Sequence, residues 1–84
     1  MLEPDYYKVL LEIAVGRRFW QSNPSAENVD SFYVRVVQPL RLLQRRGVVE
    51  RLQEIPATGG KNPITVEIIG HVDLTQVKQA IEMP

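Results

Sequence analysis

Apolar residues at Tyr6, Val9, Leu10, Ile13 and Ala14 recur at the three- and four-residue spacing of a helix, with Pro4 near the start and Gly16 near the end. The pattern predicts an amphipathic helix of about three turns. A second helical period runs from Ser31 to Arg46, with Asp30 or Ser31 as its N-cap. At about 100° per residue, Phe32, Tyr33, Val36, Val37, Leu40 and Leu43 fall on one side of it, and Arg35, Gln38, Arg41, Leu42, Arg45 and Arg46 on the other. Pro39 interrupts this stretch, because it lacks a backbone donor and crowds the carbonyl of Arg35, at a cost of about 3 kcal/mol in a helix interior. The apolar side keeps its phase across the proline. A kinked but continuous helix is therefore expected, rather than two short ones.

Gly47 supplies a left-handed residue that stops this helix, and beyond it the period changes to two. Val48 to Ile55 and Ile64 to Ile68 read as two strands that pair as a hairpin. Their connection, residues 56–62, has Gly59, Gly60 and Lys61 near its tip and is expected to project as a loop. Asp73 can cap a final short helix with an apolar stripe at Leu74, Val77, Ala80 and Ile81. Between the two long helices the signals are weaker. Residues 17–21 have no clear period and admit a short strand or an irregular link, and Asn23 or Ser25 can cap a helix of one or two turns containing Glu27. Trp20, Phe19 and Tyr6 or Tyr7 are expected to close the core, since large aromatics dominate burial in a small domain.

A chain of 84 residues, 44% hydrophobic and 24% charged, suits one globular domain over residues 1–84 rather than two. The absence of cysteine removes a disulfide framework and any thiolate zinc site. His71 is the sole histidine, so no metal site or histidine-activated nucleophile assembles around it. Gly59-Gly60-Lys61 lacks the spacing and the following Ser or Thr of a phosphate-binding loop. Glu50, Glu54 and Glu67 alternate along the two strands as exposed cross-strand partners rather than as an acid–base pair. No enzyme, cofactor or metal is expected. No apolar run approaches the roughly 20 residues of a membrane span, and Glu3 and Asp5 follow Met1 where a signal peptide would be basic, so a cytoplasmic protein without membrane contact is expected.

Charge is what turns this outline toward a function. The chain is neutral overall, but residues 1–30 hold three basic and five acidic side chains, residues 31–51 five and one, and residues 52–84 two and four. The net thus runs −2, +4, −2, which places a basic patch on the middle segment. The pattern Leu40-x-x-Leu43-x-x-x-Gly47-x-Val49-x-Arg51, followed by a glycine-containing loop and Ile64-x-Val66, resembles the winged helix-turn-helix family over about residues 5–70.

That resemblance implies an α+β fold with a three-helix core, a two-stranded β-hairpin wing and a short C-terminal helix. It places the recognition helix at 31–46 and the wing tip at 58–62. DNA contacts then fall to Arg35, Gln38, Arg41, Arg45, Arg46 and Lys61, in a transcriptional regulator or DNA-associated accessory protein that binds duplex DNA. Extra terminal helices in this family often build dimers, which assigns Leu74, Val77 and Ile81 to a homodimer or partner interface. The alternative is a winged-helix protein-interaction module that presents Phe32, Tyr33, Leu42 and the C-terminal helix to another protein. In that case the arginines pair with Glu50, Asp30 or other neighbours, each pair contributing little.

Overall fold

The structure is a computed structural model that describes residues 3–23, 29–55 and 64–83. Helix α1 covers Pro4–Ala14, strand β1 Phe19–Gln21 and helix α2 Val29–Phe32; a π-helical turn at Tyr33–Val37 leads into helix α3, Gln38–Arg45. Strands β2 (Val49–Ile55) and β3 (Thr65–Val72) follow, and helix α4 (Leu74–Glu82) closes the described chain. The short capped helix expected around Asn23, Ser25 and Glu27, and the 56–62 loop with Lys61, involve residues outside those described. Among the described residues no helix is long and apolar enough to cross a membrane.

Both long helices stop as the glycines require. At the end of α3, Gly47 (φ +78°) donates to the Gln44 carbonyl at 3.0 Å while Val48 N–H reaches back to Leu43 at 3.0 Å. These two bonds satisfy carbonyls that a helix end leaves open, and they need the left-handed conformation glycine adopts without strain. The same pair of bonds closes α1, from Gly16 to Ile13 and from Arg17 to Glu12.

Pro39 neither breaks the helix nor leaves it regular. The helical run is continuous from Val29 to Arg45, and the backbone widens to a π turn just before the proline, where Gln38 N–H donates to the carbonyl of Tyr33 five residues back. A five-residue turn relieves the crowding that a proline imposes on the preceding turn. It also inserts one residue into the wheel, about 100° of rotation between the faces before and after it. The buried positions follow this shift: Phe32 and Val37 are five apart, then Leu40 and Leu43 resume the spacing of three. Phe32 is 2% exposed and therefore belongs to the core, not to a surface for a partner.

The sheet is antiparallel, with strand order β1-β3-β2. The two expected strands do pair, with Leu52 opposite Ile68 and Ile55 opposite Thr65. The sheet has three strands rather than two, because β1 adds to the far side of β3, Trp20 opposite Val66. Neighbouring residues of a strand face opposite sides, so Trp20 is buried while Phe19 is 47% exposed, which removes Phe19 from the expected core. Near its far end the hairpin carries a bulge: Val49 pairs with Val72 and Arg51 with Ile69, leaving Gly70 and His71 opposite Glu50 alone. The Glu50 carboxylate accepts a 2.8 Å hydrogen bond from His71 N–H. Gly70 has φ +82°, and a Cβ there would lie 2.5 Å from the same carboxylate.

Helix α4 starts at Asp73, whose carboxylate accepts from the backbone N–H of Gln76 at 3.1 Å and from its side-chain amide at 2.8 Å. These bonds hold the Asp73 carboxyl below its ordinary pKa. The helix packs on α1 of its own chain. Val77 is fully buried there, and Ala80 and Ile81 lie against the same core, leaving Leu74 as the exposed member of the stripe assigned to a dimer interface. The reason is geometric: α1 and α4 each bury one apolar face, and each covers the other.

Candidate nucleic-acid interface

Helix α3 buries Pro39, Leu40 and Leu43 and turns Gln38, Arg41, Gln44 and Arg45 outward. With Glu54 of β2 these four line a groove of about 570 Å³. Glu54 enters it because α3 packs on β2 and because Glu54 lies two residues from Leu52, on the same face of the strand.

Arg41 occupies the middle of the groove and is held from two sides. Its Nε donates to one Glu54 oxygen at 2.9 Å and its Nη2 to the other at 2.6 Å, a two-pronged contact between planar groups. Its guanidinium also stands 5.7 Å from the Tyr33 ring centroid. The hydrogen bonds to Glu54 raise the Arg41 pKa above its ordinary value and lower that of Glu54, with the mutual charge attraction adding to both shifts. Half of the Arg41 side chain remains exposed, so solvent screens the pair and limits its contribution to about 1 kcal/mol or less. Arg45 is exposed in the last turn of α3, where the helix dipole favours a cation, and makes no ion pair among the described residues.

The arginines expected to share one face are thus divided. Gln38, Arg41 and Arg45 come together. Arg46 turns toward α1, donating to the Tyr6 hydroxyl at 2.9 Å with its guanidinium 5.4 Å from that ring. Arg35 precedes the rotation of the π turn; its Nε donates to Ser31 Oγ at 3.1 Å and it lines a different cleft, beside Trp20. Lys61 lies outside the described residues.

Two residues at the groove escape a reading of the arginine period: Glu54 in its lining and Tyr33 beside Arg41. Gln44 lies three residues from Arg41 and is available from the period itself. Glu54 is not, since it pairs across thirteen residues with a helix rather than across the hairpin with a neighbouring strand. Glu50 likewise secures the bulge rather than a cross-strand cation. Among the described residues no group of three or more His, Cys, Asp or Glu is arranged to hold a metal ion. Comparison of the chain with family models, curated proteins and solved structures finds no match in any of the three.

Proposed function

We propose that the protein is a non-catalytic duplex-DNA-binding module of the winged-helix type, a transcriptional regulator or DNA-associated accessory protein, with α3 as its recognition helix. The observation that carries this reading is the outward row of Gln38, Arg41, Gln44 and Arg45 along one helix. Amide and guanidinium side chains are the ones that pair in two-pronged fashion with adenine and guanine edges, and guanidinium groups also grip phosphates. The order of helix, helical run and hairpin supports the family resemblance, and β2 begins four residues after α3 ends. Such a hairpin flanks the duplex backbone when the helix lies in the major groove, and Lys61, which falls between its two strands in sequence and outside the described residues, is assigned as a phosphate contact.

The test is a titration of labelled mixed-sequence duplex by fluorescence anisotropy, for the wild type and Arg45→Ala. Loss of one phosphate contact is expected to weaken binding across sequences and to reduce the salt slope by about 1. No binding at low salt, or no change on removing Arg45, would sink the reading.

A second reading, a winged-helix module that binds protein instead of DNA, draws on two features. Glu54 already neutralises Arg41, and Val34 is 52% exposed beside the half-buried Leu42. Val34→Asp separates the two, because it abolishes capture of a protein partner and leaves duplex binding by α3 unaffected.

A further inference from the structure

Arg41 is held in one orientation before any ligand arrives. Its Nε and Nη2 donate to the two oxygens of Glu54 at 2.9 and 2.6 Å, and the Tyr33 ring centroid lies 5.7 Å from its guanidinium. Tyr33 reaches it because of the π turn. Eight positions set two residues of a regular helix about 80° apart around the axis, and the one inserted residue reduces this to about 20°. A guanidinium carries five N–H groups in a planar fork, so the two bonds to Glu54 leave three. Two of these, one on Nη1 and one on Nη2, run parallel and have no hydrogen-bond partner among the described residues. Half of the side chain stays exposed, in the groove beside Gln38, Gln44 and Arg45. Arg41 therefore offers a second two-pronged contact while the first remains on Glu54.

Two parallel donors select their acceptor. In the major groove only guanine presents two acceptors side by side, O6 and N7; adenine sets an acceptor beside a donor, thymine shows one acceptor and a methyl group, and cytosine one donor. A phosphate also accepts two bonds, but it brings a full negative charge beside the Glu54 carboxylate, which repels it, whereas the guanine edge carries none. Ordering a long side chain is one of the costs of association, and Glu54 has already ordered this one in the free protein. We propose that Arg41 is the residue of α3 that selects a guanine, through Nη1 and Nη2, and that Glu54 is the positioning residue that holds it on the base edge and away from the phosphates. This role rests on duplex binding by α3. It gives the two arginines of the groove different tasks, with Arg45, which has no ion pair among the described residues, left to the DNA backbone.

Selection from a duplex library with a randomised core, read by sequencing, gives the preferred site of the full wild-type chain and of Arg41→Ala and Glu54→Gln. The wild type is expected to fix a guanine at a position that Arg41→Ala leaves unspecified. Anisotropy titrations of the selected duplex follow. Changing that G·C pair to A·T should weaken wild-type binding about fivefold or more. Replacing the guanine with 7-deazaguanine, which carries C–H in place of N7, should weaken it severalfold. Both losses should vanish in Arg41→Ala. In Glu54→Gln, affinity for mixed-sequence duplex rises while the preference for the guanine shrinks, a split that a purely structural ion pair does not produce. Duplex binding without a preferred guanine, or with equal affinity for the 7-deazaguanine duplex, overturns the proposal and leaves DNA binding standing. So does a guanine preference that survives in Arg41→Ala or is undiminished in Glu54→Gln. Absence of duplex binding by the wild type removes the DNA reading itself, and this role with it. The 7-deazaguanine comparison needs only the wild-type chain, so it decides even where a variant fails to fold.

Discussion

Glu54→Gln is the substitution on which folding and DNA binding should part company. In the free protein it replaces a charged two-pronged contact, at 2.6 and 2.9 Å from Arg41, with a neutral one. For a half-exposed pair this removes about 1 kcal/mol at most, equivalent to a drop in Tm of no more than about 4–8 °C for a domain of this size. On DNA the sign reverses. A carboxylate in the groove repels phosphates, and at about 6 Å in the dielectric of water that repulsion is about 0.6–0.7 kcal/mol, or about threefold in affinity. Freeing Arg41 to take a phosphate adds about 0.9 to the magnitude of the salt slope. Glu54→Gln is therefore expected to bind duplex three- to tenfold more tightly at low salt, with the advantage shrinking as salt rises.

The assay is fluorescence anisotropy at several salt concentrations beside a thermal melt, repeated in an Arg41→Ala background, where much of the gain should vanish. A variant that melts like the wild type and binds DNA no better would refute both the energetic role of the pair and its competition with phosphate. The pair also has a pH signature. Because Arg41 lowers the Glu54 pKa in the folded state, its contribution is complete above the ordinary glutamate value of about 4.3 and is lost as pH falls through the lower folded value. The melting temperature of Glu54→Gln should depend less on pH in that acid range than that of the wild type.

Gly70→Ala forces a side chain into φ +82° with its Cβ 2.5 Å from the Glu50 carboxylate, and chemical denaturation should register a loss of about 1–3 kcal/mol, partly recovered with Glu50→Ala. Val77→Ala removes two buried methyl groups and should cost about 1.5–2.5 kcal/mol, with a Tm independent of protein concentration; a concentration-dependent loss would place Val77 at a dimer interface instead. Asp73→Ala should lower Tm by uncapping α4, while Asp73→Asn keeps a cap acceptor and should melt close to the wild type but without the acid dependence of Asp73, whose folded pKa is depressed.

The parts of this fold legible in the sequence are those encoded locally. Tyr6, Val9, Leu10 and Ile13 announce α1, Gly47 announces the end of α3, and Asp73 announces α4, because each signal lies within one or two turns of the structure it specifies. Strand β1 is too short, at three residues, to display a period, so the third strand and the outward turn of Phe19 emerge only when it pairs with β3. The proline at 39 is visible, but its resolution is not. A π turn preserves continuity and rotates the faces, separating Arg35 from Arg41 and Arg45 where a regular wheel groups them.

The candidate site is legible to the same degree. The outward positions of Gln38, Arg41 and Arg45 follow from helical period alone. Their partners do not. Arg41 finds Glu54 across thirteen residues, Arg46 finds Tyr6 across forty, and Glu50 finds the amide of His71 across twenty-one. Contacts of that separation depend on how α3 packs against β2 and α1, and no local pattern carries them.

The salt dependence of duplex binding by the wild-type chain tests the proposed function most directly, since contact with phosphates releases counterions in proportion to their number. With Arg45 and Lys61 as phosphate contacts and Arg41 still held by Glu54, the logarithm of the binding constant should fall linearly with the logarithm of salt concentration, with a slope of about −2 or steeper. A slope near zero, or no binding at about 50 mM salt where such contacts are strongest, would contradict DNA recognition by α3.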